Sequence, residues 1–271
     1  VAGILTDRGQ FDPQALVTDY LPELQRTAYR GARIQHLLDM ASGVAFSEDY
    51  DDPESDVAIL EFAAGWTRSG KPEWPRSTWE FVLGQTRLER PHGQRFSYRS
   101  SETDVLGLAI ERATGERLAA LVSGLIWDPM GAEEDAYFTV DPAGYAAASG
   151  GFNATLRDYA RFGLLHASGG AVQGRQVVPR DWIAATQQCD PGLIRDEDRA
   201  GDPKWGYKNQ FWIEDYERRA YMALGVFGQL IYIDPDADFV AVKLSSCPDF
   251  TNDARHNLTV AAVRAIKRAL P

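Results

Sequence analysis

Residues 219–246 read RAYMALGVFGQLIYIDPDADFVAVKLSS, and this stretch decides the fold class. Two strand-like runs, QLIYI and FVAVKLS, flank the turn-forming cluster PDAD, a pattern typical of an antiparallel hairpin. Both runs are apolar almost throughout, which indicates a sheet covered on both faces. A third strand run, AYMALGV, precedes them, and the helical pattern ARHNLTVAAVRAIKRAL follows.

Upstream of this stretch, the apolar spacing changes to that of helices. STWEFVLG begins with Ser77 in a capping-box pattern. SSETDVLGLAIERATG has Ser100 or Ser101 as its predicted N-cap, and TLRDYARFGLLHASGG begins at Thr155 with another capping box. Helices therefore precede the strands, and one helix follows them.

This order predicts an α+β fold, an α/β sandwich in which helices flank an antiparallel sheet, with a mostly helical region before it. We expect one domain over residues 1–271, with a helical and irregular region over about 12–215 and the sheet and terminal helix over about 216–271. Residues from about 51 to 91 are rich in Pro, Gly, Trp and charge, which predicts an irregular wall or lid of a site.

The composition excludes several classes of function. The 28 Lys and Arg residues against 39 Asp and Glu give a net charge of −11, which argues against nucleic acid and anionic membranes as partners. This charge suits neutral or cationic substrates, or only keeps the protein soluble. No apolar run is long enough to span a bilayer, and the two Cys and four His residues lack ligand spacing. We expect no metal, no cofactor and a cytoplasmic location, with a homodimer left open.

The stretch FSYRSSETDVLG, residues 96–107, raises the question of a catalytic tyrosine. A phenol has a pKa of about 10, so Tyr98 is a poor base at neutral pH unless positive charge stabilises its phenolate. Arg99 is adjacent in sequence but can point away. The pattern alone favours an ordinary packed tyrosine before an N-cap serine.

Longer stretches give this tyrosine a context. YRSSETDVLGLAIERATG, ASGGFNATLRDYARFG, WGYKNQFW and GVFGQLIYIDP followed by VAVKLSS resemble, in this order, the serine β-lactamase and penicillin-binding family in its class C-like branch. VAGILTDRGQFDPQALVTDYLPEL and LLDMASGVAFSEDYDDPES extend the resemblance over essentially the whole chain. The resemblance implies a β-lactamase/transpeptidase-like fold that lacks its N-terminal strands here, with AYMALGV at the unpaired edge.

The resemblance implies a serine hydrolase that cleaves small linear amides or esters, including amine-terminated oligomers, through an acyl-enzyme. Within the family, D-Ala-D-Ala carboxypeptidase, β-lactamase or esterase activity is the alternative. A non-catalytic truncated homologue that acts as a binding module is the alternative from a different class. The fold alone does not choose among them.

The family's nucleophile is the serine of Ser-x-x-Lys, and its lysine polarises the tyrosine that corresponds to Tyr98. None of the five lysines of this sequence has a serine three residues before it, and Gly-x-Ser-x-Gly is also absent from the sequence. The family's pattern places Ser-x-x-Lys roughly ten residues before Val1, on the helix that contains VAGIL.

A second set of implied roles falls on the strand GVFGQ. The backbone N–H of Gln229 is implied to stabilise the oxyanion, and Gly228 to let the substrate approach the backbone. Phe227 is expected to line the substrate. Val226 and Phe227 replace polar residues of the family, which argues against recognition of a β-lactam carboxylate. An interior strand with a glycine for packing is the ordinary alternative.

The remaining implied contacts are with the substrate. Tyr50 is implied to bond the substrate amide, Glu61 to contact a free amine, and Trp212 to form the pocket rim. Ser100 is expected to line the same cleft, and Ser149 lies where relatives often carry Asn. A packed loop aromatic, a solvated helix charge and a core tryptophan are the ordinary alternatives for the first three.

Overall fold

The structure is a computed structural model that describes residues 1–194 and 204–270. These residues form two compact units. The first unit comprises Val1–Leu125, Ala136–Asn153 and 192–194, and the second comprises Ile126–Asp135, Ala154–Pro191 and 204–270.

The helices and strands of these described ranges are numbered in chain order. The helices α1 to α11 are Ala2–Asp7, Val17–Tyr20, Ile34–Leu38, Asp56–Ala63, Thr78–Gly84, Ser100–Thr114, Leu118–Val122, Asp128–Met130, Leu156–Ala167, Arg180–Thr186 and Asp253–Ala269. The strands β1 to β9 are Tyr137–Phe138, Phe152–Asn153, Ala171–Val172, Arg175–Gln176, Gly206–Lys208, Phe211–Ile213, Tyr221–Gly225, Gln229–Asp234 and Phe239–Lys243.

The second unit contains an antiparallel sheet with the strand order β5-β6-β7-β8-β9 among the described residues. The sheet begins at Gly206, earlier than the sequence predicted, because β5 and β6 are too short to show an alternating pattern. The run AYMALGV was predicted at the unpaired edge, and this was wrong: β7 pairs with both β6 and β8. Within residues 204–270, β9 pairs with β8 alone.

Helices cover both faces of this sheet, as the apolar strands predicted. Met222 and Tyr232 pack with Val263 of α11 on one face. On the other face, α9 lies so close that a β-carbon at Gly163 would be 2.5 Å from Val240 Cγ1. The α+β class and the covered sheet are therefore confirmed.

Two of the predicted helix caps are present. Thr155 Oγ1 accepts the backbone N–H of Asp158 at 3.2 Å and donates its own proton to that carboxylate at 2.9 Å. Ser77 Oγ accepts the N–H of Glu80 at 3.2 Å, but the Glu80 carboxylate bonds the N–H of Arg76 rather than that of Ser77. Local polar spacing therefore located both helix starts.

The first unit is built around α6, which carries most of the candidate site. Val105 and Ala109 of this helix are fully buried, as are Ile34 and Leu37 of α3, which packs against it. Gly115 ends α6 in the left-handed region at φ 72°, where a residue without a β-carbon is unstrained.

A buried histidine in the second unit predicts acid sensitivity. His166 Nδ1 lies 3.0 Å from the Tyr221 hydroxyl, and burial lowers the pKa of His166 from 6.5 to about 3. Between these pH values the unfolded chain binds a proton that the folded protein excludes, so stability falls as the pH falls below about 6.5. We expect wild type to lose about 2 kcal/mol more unfolding free energy than His166→Gln between pH 7 and 5, measured by urea unfolding. An equal loss in both proteins would refute this.

Candidate active site

A carboxylate from a distant loop caps the N-terminus of α6. Glu48 Oε2 accepts the backbone N–H of Ser100 at 2.9 Å, and Oε1 accepts the Ser100 hydroxyl. The prediction of a serine N-cap was wrong, because Ser100 is the first helical residue and Arg99 holds the cap position without a capping bond from its side chain. A charged acceptor is well suited to the positive end of a helix dipole, so Glu48 replaces the local cap.

Glu48 also brings two predicted substrate-binding residues together. The Tyr50 hydroxyl donates to Glu48 Oε1 at 2.8 Å, the same oxygen that accepts from Ser100. Burial raises the pKa of Glu48, and the bonds from Ser100 and Tyr50 partly oppose this. Burial and then the negative charge of Glu48 raise the pKa of Tyr50 above its ordinary range. Tyr50 therefore stays protonated and acts as a hydrogen-bond donor.

Tyr98 lies half-buried directly before α6. Burial raises the pKa of its phenol above the ordinary range, and the negative charges of Glu48 and Asp104 add to this effect. Arg99 does not offset them, since its side chain is fully buried and donates to Ser97 O at 2.8 Å. Tyr98 is therefore a neutral phenol among these neighbours and needs a further cation to act as a base.

Glu61 lies on α4 in the electrostatic range of Glu48. Burial raises the pKa of Glu61, and the charge of Glu48 is the second cause. The loop that carries Glu48 is bound to the start of α4, because Asp56 Oδ2 accepts the N–H of Ser47 at 2.8 Å. Two carboxyl groups that repel each other favour a cation between or beside them.

Ser149 is tied to α6 by a different side chain. Its backbone N–H donates to Asp104 Oδ1 at 3.0 Å. In the first unit, the structure thus joins Tyr50 and Ser100 through Glu48, places Tyr98 and Glu61 within its electrostatic influence, and binds Ser149 to the same helix. Sequence reasoning missed Glu48 and Asp104, although Glu48 precedes Tyr50 by two residues and Asp104 lies in the tyrosine stretch.

The second unit contains the residues GVFGQ, which were predicted on one strand. This was wrong for Val226–Gly228, which lie in the turn between β7 and β8. Residues Val226–Gly228 form a tight turn in which Phe227 adopts φ 61°, a left-handed conformation that strains a residue with a side chain. The Phe227 N–H donates to Phe250 O at 2.8 Å, and the Phe227 carbonyl accepts the N–H of Cys247 at 3.2 Å. Gly228 follows at φ 85°, and a β-carbon there would lie 2.9 Å from Lys243 Nζ. Two backbone bonds therefore hold this strained turn.

Gln229 begins β8 opposite Gly225, and its side chain is already engaged. Its amide donates to Ser245 O and accepts the Ser245 N–H at 3.0 Å. The side chain thus anchors the strand and leaves only the main chain for the predicted oxyanion role. Trp212 lies on β6, where its ring centroid is 5.1 Å from that of Tyr207 and it packs on the core of the second unit.

The part of the chain that the structure describes contains neither a metal-ligand cluster nor a membrane-spanning helix. Residues 1–194 and 204–270 contain no group of three or more His, Cys, Asp or Glu side chains that could hold a metal ion. None of the helices in these ranges is long and apolar enough to cross a membrane.

The fold and the tyrosine stretch agree with a match to the β-lactamase family model over residues 1–265. The chain belongs to this family. It is 36% identical over 278 residues to the 6-aminohexanoate-dimer hydrolase of Paenarthrobacter ureafaciens, an alignment that covers 100% of this chain and 69% of that protein.

Solved structures agree with this assignment. A Bacillus anthracis protein assigned to the 6-aminohexanoate-dimer hydrolases matches with a TM-score of 0.85 and 31% identity, over 98% of this chain and 69% of that one. A D-stereospecific amidohydrolase from Streptomyces shares the fold, with a TM-score of 0.68 and 17% identity over 95% of this chain and 81% of its own. The resemblance to the β-lactamase and penicillin-binding hydrolases is confirmed.

Proposed function

We propose that this protein is a serine hydrolase that cleaves small linear amides or esters through an acyl-enzyme, with amine-terminated amide oligomers as preferred substrates. The proposed reaction type follows from the family, and the proposed substrate preference follows from side chains in the first unit of this chain. The similarity to 6-aminohexanoate-dimer hydrolases supports the choice of a linear amide.

The observation that carries the proposal is the cluster of Glu48, Tyr50 and Ser100 next to Tyr98. In this cluster, the hydroxyl groups of Tyr50 and Ser100 donate to the carboxylate of Glu48. The charge of Glu48 also raises the pKa of a second carboxyl group, that of Glu61. A substrate with an ammonium group would relieve the repulsion between the two carboxylates. The Tyr50 hydroxyl would donate to the substrate when it no longer donates to Glu48.

In the proposed reaction, a serine attacks the substrate carbonyl and its hydroxyl proton passes to Tyr98, which then protonates the leaving amine. The N–H of Gln229 stabilises the oxyanion, and water releases the acyl group. Residues 1–271 contain no Ser-x-x-Lys, so the proposal requires a nucleophile and a lysine that they do not supply. The raised pKa of Tyr98 makes that lysine cation necessary, since a neutral phenol accepts no proton.

A hydrolysis panel on the natural protein tests this function. The panel contains 6-aminohexanoate dimer, p-nitrophenyl esters, nitrocefin and a D-Ala-D-Ala peptide. We expect the highest kcat/KM on the dimer and measurable ester cleavage. Preferential cleavage of nitrocefin or of the peptide would overturn the proposed specificity, and no cleavage of any substrate would overturn the enzyme assignment.

The role of Glu61 gives a specific prediction. We expect Glu61→Gln to raise KM for 6-aminohexanoate dimer by about tenfold, because a neutral amide does not attract the substrate ammonium group. The same change should leave KM for the N-acetylated dimer within about twofold, since that substrate has no cation. Glu54→Gln is the matched control, because Glu54 pairs with Lys71 at the surface. Equal effects of Glu61→Gln on both substrates would show that its charge does not select the amine.

A further inference from the structure

The segment from Ala147 to Gly151, which carries Ser149, is fixed at both ends by its own backbone. The N–H of Ala147 donates to Thr139 O at 3.0 Å, and the Thr139 N–H donates to Gly151 O at 2.8 Å. The Gly151 N–H closes the turn on Ala147 O at 2.7 Å. These bonds hold the ends of the segment and leave the N–H groups at its middle to another partner.

Asp104 supplies that partner from α6. Asp104 is 3% exposed, and its Oδ1 accepts the Ser149 N–H at 3.0 Å. The Ser149 side chain and the Ala148 backbone lie close enough to lower the pKa of this carboxyl group. Gly107, one turn further along α6, allows this approach, because a β-carbon there would lie only 3.0 Å from the Ala148 β-carbon. The middle of the segment is therefore bound directly to the helix that begins beside Tyr98.

Burial of the Asp104 carboxylate costs free energy, because its charged form loses contact with water. Burial raises the pKa of Asp104 to about 7, and the bonds from Ser149 and Ala148 oppose that rise. The negative charge of Asp104 also raises the pKa of Tyr98, which does not help a catalytic base. A carboxylate offers more than one acceptor site, so Asp104 can hold the Ser149 N–H and also interact with the other donors of this segment.

We propose that Asp104 is a positioning residue that fixes Ser149 relative to Tyr98 and Ser100 for binding of the amide substrate. This inference rests on the proposed function for its role in the reaction, but the anchoring of Ser149 is separate from it. Asparagine at this position would keep the size but replace one accepting oxygen with an NH₂ group. One of the donor groups that face Asp104 would then face this NH₂ group, which also donates and cannot accept a hydrogen bond.

The test combines amide hydrogen exchange with kinetics on the natural protein and its Asp104→Asn and Asp104→Ala variants. We expect exchange of the Ser149 amide to accelerate about tenfold or more in Asp104→Asn, and further in Asp104→Ala, because its half-buried N–H loses its acceptor. Asp141→Asn is the matched control: Asp141 is another buried carboxylate, and it accepts the N–H groups of Ala143 and Tyr145, whose amides should respond instead.

For kinetics, we expect kcat/KM of Asp104→Asn for 6-aminohexanoate dimer to fall about tenfold, while that for p-nitrophenyl acetate changes less than twofold. The small ester does not reach Ser149 in this proposal. Unchanged exchange in both Asp104 variants would overturn the inference whether or not the protein is an amidase. A further outcome is faster exchange in the Asp104 variants while the wild-type protein hydrolyses none of the substrates. That result would support the anchoring of Ser149 and overturn the proposed function. Equal losses on both substrates would overturn the positioning role.

Discussion

Tyr98→Phe should lower kcat for 6-aminohexanoate dimer by about 10²–10⁴-fold with little change in KM. The substitution removes one hydroxyl group, and proton transfer by a positioned side chain contributes about this much to a rate. The phenol is half-buried at the start of α6, so the ring of phenylalanine occupies the same space. Steady-state kinetics on the natural protein and the variant measure the effect.

A matched control shows whether the loss of kcat is specific to Tyr98 or follows from replacing any tyrosine by phenylalanine. Tyr137 is 64% exposed on β1, and Tyr137→Phe should leave kcat within about twofold. Thermal unfolding of both variants shows whether the fold survives. A near-normal kcat in a folded Tyr98→Phe variant would remove Tyr98 from the mechanism.

Arg99→Met should lower the free energy of unfolding by about 3–5 kcal/mol. The guanidinium is fully buried, donates to Ser97 O at 2.8 Å and lies 3.4 Å from the carboxylate of Glu102, which is equally buried. Burial raises the pKa of Glu102 to about 8, although Arg99 lowers it. Removing the cation leaves this buried carboxyl group either with an uncompensated charge or forced to hold a proton, and such losses are large. Guanidinium chloride unfolding measures the change, provided that both proteins unfold in one step.

The same helix offers a control for this prediction. Arg112 pairs with Glu23 at 3.0 Å, and both side chains are more than two-fifths exposed. Arg112→Met should therefore change stability by less than about 1 kcal/mol. In the Arg99→Met background, Glu102→Gln should recover part of the loss, because the amide needs no cation. Equal effects of the two arginine variants would contradict this account of the Arg99–Glu102 pair.

Local features of the sequence predicted the fold well. The apolar strands of residues 219–246 and their turn depend on neighbours in the chain, so their pattern is visible without the structure. The caps at Ser77 and Thr155 are of the same kind. The short strands β5 and β6 were missed because three residues carry too little periodicity, and this placed AYMALGV at the wrong position in the sheet.

The candidate site was less predictable, because its contacts join distant residues. Glu48 and Ser100 are 52 positions apart, and Asp104 and Ser149 are 45 positions apart. No local pattern marks such pairs. The orientation of the Arg99 side chain could not be predicted either. Neither its sequence neighbours nor its charge indicates that it pairs with a buried Glu102. The family resemblance predicted roles for Tyr98 and Tyr50, whereas the structure showed that Glu48 bonds Tyr50 and raises the pKa of Tyr98.

In the proposed function, this protein works as a serine acyl-enzyme hydrolase with Tyr98 as its proton carrier. The most direct measurement is the intact mass of the natural protein after treatment with a fluorophosphonate probe, followed by peptide mapping. We predict one adduct per molecule, on a serine followed three residues later by lysine, with labelling slowed by about 10²–10⁴-fold in Tyr98→Phe. The absence of an adduct on the folded protein, an adduct on another residue, or labelling of Tyr98→Phe at the wild-type rate would contradict the claim.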